Sequence, residues 1–152
     1  MNLEARLREL NLVLPDPPKP LGAYVPAVEV DGLLFLSGML PLKEHRRMWI
    51  GRVGTELTVM EGREAARLAA LNGLAVARAS LGSLDRIRRL VRLTVHIATA
   101  PDFSEHAAVA DGASELLAAL FKDGGGHTRL ALGASSLPAQ MPVELEFIFA
   151  VA

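Results

Sequence analysis

Apolar and polar positions change their spacing several times along the chain, and each change predicts an element. From Val143 to Val151 the odd positions are Val, Leu, Phe, Phe and Val, while the even ones are Glu144, Glu146, Ile148 and Ala150. Strand side chains alternate between faces, so this run predicts a strand with five apolar residues on one face and both carboxylates on the other. Ile87 to Ala98 alternates too, with Ile87, Val91, Leu93, Val95 and Ile97 facing one way and Arg88, Arg92, Thr94 and His96 the other; the strand proper is expected from near Leu90. YVPAVEV and LLFLSG flank Asp31-Gly32, a β-hairpin signature, and Pro26 pushes the first of the two toward a sheet edge. A third, short strand is expected over Met48 to Val53. Helical spacing governs the rest. Leu3, Leu7 and Leu10 predict a short amphipathic helix over Asn2 to Leu10, supported by a Glu4–Arg8 pair. Thr58 with Glu61 forms a capping box that opens a long Ala-rich helix to Leu81, and Gly82 suits its left-handed cap. A second helix is expected from about Ser104 to Phe121, burying Val109, Ala113, Leu116, Leu117, Leu120 and Phe121.

The order ββ(β)αβαββ, preceded by a helical extension, predicts an α+β sandwich, with about six strands in one sheet and both long helices on one face. PDPPKP, Pro15 to Pro20, cannot continue a helix or enter a central strand. It divides an N-terminal helix and linker (1–20) from the main domain (21–152). The other sheet face carries Glu144, Glu146, Arg92, Thr94 and His96 beside apolar residues (Leu90, Ile148, Ala150), and no helix remains to cover it. A half-polar, uncovered face predicts coverage by further subunits, hence a homo-oligomer.

Composition narrows the function classes. Net charge is −1 with the two signs interspersed, so nothing favours nucleic acid or an anionic membrane. There is no cysteine, which excludes disulfides, thiolate nucleophiles and Cys-ligated metals. Neither a signal peptide nor a membrane span is apparent, and a soluble cytoplasmic protein is expected. His45, His96, His106 and His127 show no metal-ligand spacing, so no metal is expected. Gly124 to Gly126 follow a helix and precede a strand, the reverse of a phosphate-cradling loop. The Arg86, Arg88, Arg89 and Arg92 cluster lacks aromatic neighbours and reads as solvated or intersubunit. What remains is a carboxylate pair on an apolar strand, costly unless partnered, and Arg129 as its nearest obvious partner. An intersubunit ion pair is the alternative to a catalytic role for these residues.

Two segments, and the interval between Arg129 and Glu144 in the second, resemble one family. LGAYVPAVEVDGLLFLSGMLP (21–41) is similar to the opening signature of the Rid family, the YjgF-like reactive intermediate deaminases, in which a Gly-x-Tyr strand leads across a hairpin into Ser-Gly-Gln-x-Pro. TRLALGASSLPAQMPVELEFIFAVA (128–152) resembles the closing signature: an Arg-bearing strand, a Leu-Pro turn, then V-E-(I/L)-E. The interval from Arg129 to Glu144 is that of the family. The resemblance implies a chorismate-mutase-like fold, a homotrimer with a central barrel, and active sites in the clefts between subunits. It also implies hydrolysis of enamine/imine intermediates such as 2-aminoacrylate to 2-keto acids and ammonia, with no cofactor. Arg129 then matches the anchor for the substrate carboxylate and Glu144 the acid that orients water; Tyr24, Ser37 and Gly38 match cleft-lining residues. Asp111 stands where the family often has Asn, Met39 replaces Gln, and Ala131 replaces a Cys. His127 is expected on the face of Arg129, and Glu146 reads as structural. The helix and proline linker place the chain in a longer branch. A non-catalytic keto-acid-binding trimer is the alternative; an endoribonuclease, an activity attached to the family's names, fits the charge and histidine placement least.

Overall fold

The computed structural model describes residues 2–152. The N-terminal helix α1 spans Leu3–Glu9, capped by the Asn2 side chain, which accepts from Ala5 N. Leu3 and Leu7 are buried in the main core. The Glu4 carboxylate accepts from Leu84 N, and the Asp85 carboxylate accepts from Glu4 N. Glu4 thus bridges to the body of the protein and lies 3.6 Å from Arg78, rather than pairing with Arg8; within the helix the pair is Arg6–Glu9. The proline-rich stretch runs without helix or strand to the hairpin.

That hairpin is β1 (Ala27–Val30) and β2 (Leu33–Leu36), and β1 is an edge strand as Pro26 predicted. The main sheet has five strands rather than six. Met48 to Val53 forms no strand, because Gly51 and Gly54 take φ of 120° and 87° and turn the chain out of the extended region. In its place β3 (Leu42–Lys43) and β4 (Arg46–Arg47) make a separate small hairpin, turning on the positive-φ residues Glu44 and His45.

Helix α2 spans Val59–Leu81. Thr58 and Glu61 form the reciprocal capping box, and Gly82 is left-handed at φ 80°. Its face of small residues (Ala65, Ala66, Ala69, Ala70, Ala77) is fully buried and lets the helix lie close to the sheet. Strand β5 (Ile87–Ala98) begins three residues before the expected Leu90. Register shifts between Ile87 and Arg89 and between Leu90 and Arg92 reset its alternation. Leu90 is therefore a core residue and not part of the uncovered face. Helix α3 (His106–Leu120) buries the whole predicted stripe, Phe121 included. Arg63 ties it to α2 by donating to the Ala108 carbonyl and pairing with Glu115.

Strands β6 (Thr128–Ala134) and β7 (Val143–Val151) complete the sheet, in the order β1-β2-β7-β5-β6. Only the β5–β6 pairing is parallel. All five odd positions of β7 are buried beneath α2 and α3, with Phe147 stacked on Phe149. The architecture is thus α+β, with two long helices on one face of a mixed sheet and the other face open.

The open face is partly apolar. On β1 and β2, Val28 and Phe35 are register partners, as are Val30 and Leu33. Phe35, Leu130 and Leu132 are 39%, 40% and 43% exposed beside Arg92, Thr94, His96, Glu146 and Ile148. No helix among the described residues is long and apolar enough to cross a membrane.

Candidate active site

The predicted site residues fall into two groups on opposite faces of the sheet. The first lies where the chain leaves β2. Ser37 N donates to the Pro26 carbonyl, and the Ser37 hydroxyl donates to the Val25 carbonyl at 2.7 Å. That hydroxyl serves to hold the two chain segments together. Met39 and Leu145 exchange both backbone hydrogen bonds, which locks the segment onto β7. Tyr24 accepts from Leu21 N through its own hydroxyl oxygen. Tyr24, Ser37, Gly38 and Met39 line a small hollow with Pro18, Pro20 and Leu42.

Glu144 stands directly over Gly38. A Cβ at Gly38 would come within 2.2 Å of Glu144 Oε1, so only glycine leaves the carboxylate its seat. Burial pushes the Glu144 carboxyl above the ordinary Glu range, with the neighbouring Glu146 adding to the rise and His96 opposing it. Glu146, one pleat on, hydrogen-bonds His96 at 3.1 Å.

The second group sits between β6 and α3. Arg129 donates through Nη1 to Asp111 Oδ1 at 2.5 Å and to Ser114 Oγ at 3.2 Å. Ser114 Oγ also lies 3.0 Å from His127 Nε2. His127 and Arg129 do share a face, as their i, i+2 spacing on a strand requires. Burial, and then the Arg129 charge, hold the His127 pKa below its ordinary value, so the ring is neutral at pH 7.

Within one chain, Arg129 is therefore not the partner of the β7 carboxylates. It reaches toward α3, whereas Glu144 and Glu146 project from the open face. Across the sheet Arg129 is level with Leu93, and Glu144 with His96, two strands away. That offset puts their backbones roughly 14 Å apart even before the opposite faces are counted. The Arg129 charge is met by Asp111 instead.

Two contributors escaped the sequence reading. Ser114, three residues after Asp111, shares its helix face by the i, i+3 rule, a signal that was present. Asn72 is 1% exposed and donates through Nδ2 to the Leu40 and Leu42 carbonyls, both at 2.8 Å. It ties the segment after Gly38 to α2, and its signal was a lone amide in an otherwise apolar helical stripe.

Comparison with known proteins agrees with this fold. The family described as "YjgF/chorismate mutase-like, putative endoribonuclease" matches residues 4–151. The chain belongs to that family. Protein TCP17 of Trypanosoma cruzi is 38% identical over 143 residues, covering 93% of this chain and 89% of its own. The crystal structure of Atu1372 from Agrobacterium tumefaciens, a protein described as of unknown function, superposes with a TM-score of 0.90 at 37% identity, over 99% of this chain and 92% of that one. A structure from Shewanella oneidensis, described as that of "a putative endoribonuclease", gives a TM-score of 0.94 at 31% identity, over 99% of this chain and 100% of that one. Both structural matches extend over α1 and the proline linker as well as the sheet.

Proposed function

We propose that the protein hydrolyses reactive enamine/imine intermediates of the 2-aminoacrylate type to 2-keto acids and ammonia. The work is done without a cofactor, in clefts between the subunits of a homotrimer. The observation that carries this reading is the division of the site. A carboxyl with a raised pKa over Gly38 and an arginine on edge strand β6 lie on opposite faces of one chain. Each is half of a site, and a neighbouring copy completes it. A closed ring of head-to-tail contacts gives every chain a neighbour on both sides, and packing open faces inward covers Phe35, Leu130 and Leu132.

In such a cleft Arg129 holds the substrate carboxylate through charge-assisted hydrogen bonds. Glu144 of the adjoining copy, as carboxylate, accepts a hydrogen bond from water and orients it toward the imine carbon. Water oxygen bonds to that carbon as the C=N π pair moves to nitrogen, and the proton the water gives up passes by way of the Glu144 carboxylate to that nitrogen. The carbinolamine then collapses, with loss of ammonia and formation of the keto group. The imine is itself the electrophile, and no further group is required.

The name of the Shewanella relative raises RNA cleavage as another activity. His96 and His127 lie on opposite faces of this sheet, each engaged by a different partner, so they do not form a general acid–base pair within a chain.

The test couples an amino-acid dehydratase or oxidase to the protein and follows decay of the imine it releases, alongside sedimentation for mass. Accelerated decay by a trimer is expected, with kcat/KM falling on the order of 100-fold in Arg129→Ala. A monomer, no acceleration, or full activity in Arg129→Ala contradicts the proposal. Binding of keto acids with an unchanged imine lifetime would identify a non-catalytic receptor instead.

A further inference from the structure

Arg129 meets an anion before any substrate arrives. A guanidinium carries five N–H donors, two of them on Nη1. Those two are committed here, one to Asp111 Oδ1 and one to Ser114 Oγ. Among the described residues, Nε and Nη2 have no acceptor, and together they form one fork of the width of a carboxylate. Asp111 is itself part-exposed on α3, so its charge is felt by whatever binds that fork. With His127 uncharged, the Arg129–Asp111 pair carries no net charge.

We infer that Asp111 is a positioning and specificity-determining residue, which holds the Arg129 guanidinium by Nη1, turns its Nε–Nη2 edge toward the cleft, and weakens that edge for anions. Ser114 supplies the second hold. By accepting from Arg129, its hydroxyl leaves its own proton for His127 Nε2, so one hydroxyl keeps both side chains in register. The substrate class is then a compact monocarboxylate gripped side-on. The nearby Asp111 charge penalises any second anionic group and favours release of the product acid. This inference rests on the carboxylate-anchor part of the functional reading, and not on turnover.

Replacing Asp111 by Asn keeps an oxygen acceptor for Nη1 and removes the charge; replacing it by Ala removes both. The probe is 2-oxobutanoate, an unreactive monocarboxylate, titrated into the assembled protein and its variants by calorimetry. Nitrogen-detected NMR follows the Arg129 side chain in parallel. D111N is expected to bind about tenfold more tightly than wild type, since one like charge beside the ligand has gone. D111A is expected to gain less than D111N and to lose the slowed Nη1 rotation that wild type and D111N share. Unchanged affinity in D111N overturns the charge role, and equal gains in the two variants overturn the positioning role. No binding in wild type or either variant overturns both this inference and the anchor on which it rests. The expected binding pattern without faster imine decay would instead overturn only the deaminase reading.

Discussion

Glu144 and Arg129 were legible in the sequence because each interrupts an apolar strand, but their faces were not equally legible. On β7 the large apolar residues point inward and the carboxylates outward, as burial predicts. On β6 the order is inverted: Arg129 and Ala131 face the helices while Leu130 and Leu132 are exposed. Small residues suffice beneath α3, and the leucines are reserved for a face that one chain leaves open. Alternation alone cannot choose between those assignments, which is why Asp111 was not recognised as the partner of Arg129. The environment of Glu144 leads to a sign-definite prediction. In its proposed role of orienting water it must be ionised, and its pKa is raised. The rate of imine decay should therefore rise with pH through a value above the ordinary Glu range and then level off. Glu144→Gln should lower the rate at least about 100-fold and abolish that acid limb. Stability should move the opposite way. Between the ordinary Glu value and the raised one, the folded chain binds more protons at this group than the unfolded chain, so its contribution to stability falls as pH rises. Denaturant titrations at several pH values should show a flatter dependence for Glu144→Gln. An acid limb that survives the substitution would assign it to another group.

At the scale of elements, the strongest local signals were reliable because the physics that sets them is local. The capping box at Thr58, the left-handed Gly82 and the nine-residue alternation of β7 all appear as read. The elements that were missed depend on backbone geometry with little sequence signature. The β5 bulges shift which residues are inward, and β3–β4 turns on Glu44 and His45, of which only the His belongs to the types enriched at positive φ. The N-terminal helix proves more than an appendage. Leu3 is fully buried and Leu7 nearly so, packed into the same core as β7. Leu7→Ala should therefore cost about 3 kcal/mol of unfolding free energy, measurable by urea denaturation, as for any core leucine truncated with partial collapse of the cavity. A change below about 0.5 kcal/mol, the range of surface substitutions, would mean that α1 does not dock as described.

Across the whole molecule, the sequence was enough to indicate that the sheet has a face no helix covers, and the proposal of a neighbouring copy rests on that face. What it could not supply was the consequence for the site, because a pattern of one strand does not say which side of the sheet another strand's side chains take. In the proposed site Glu144 with Tyr24, Ser37 and Gly38 forms one half, and Arg129 with Asp111, Ser114 and His127 the other. These halves are proposed to belong to different copies in each working cleft, and mixing two inactive variants puts that arrangement to the test. Arg129→Ala and Glu144→Gln chains, each distinguishably tagged, are co-expressed, the mixed oligomer is isolated by both tags, and its imine-decay rate is compared with each variant alone. In a ring of three, every mixed oligomer has one cleft in three, roughly a third, with an intact Arg129 from one chain and an intact Glu144 from the next. Activity regained to about that fraction of wild type is the result expected; a mixed oligomer as inactive as its parents would contradict a site shared between subunits.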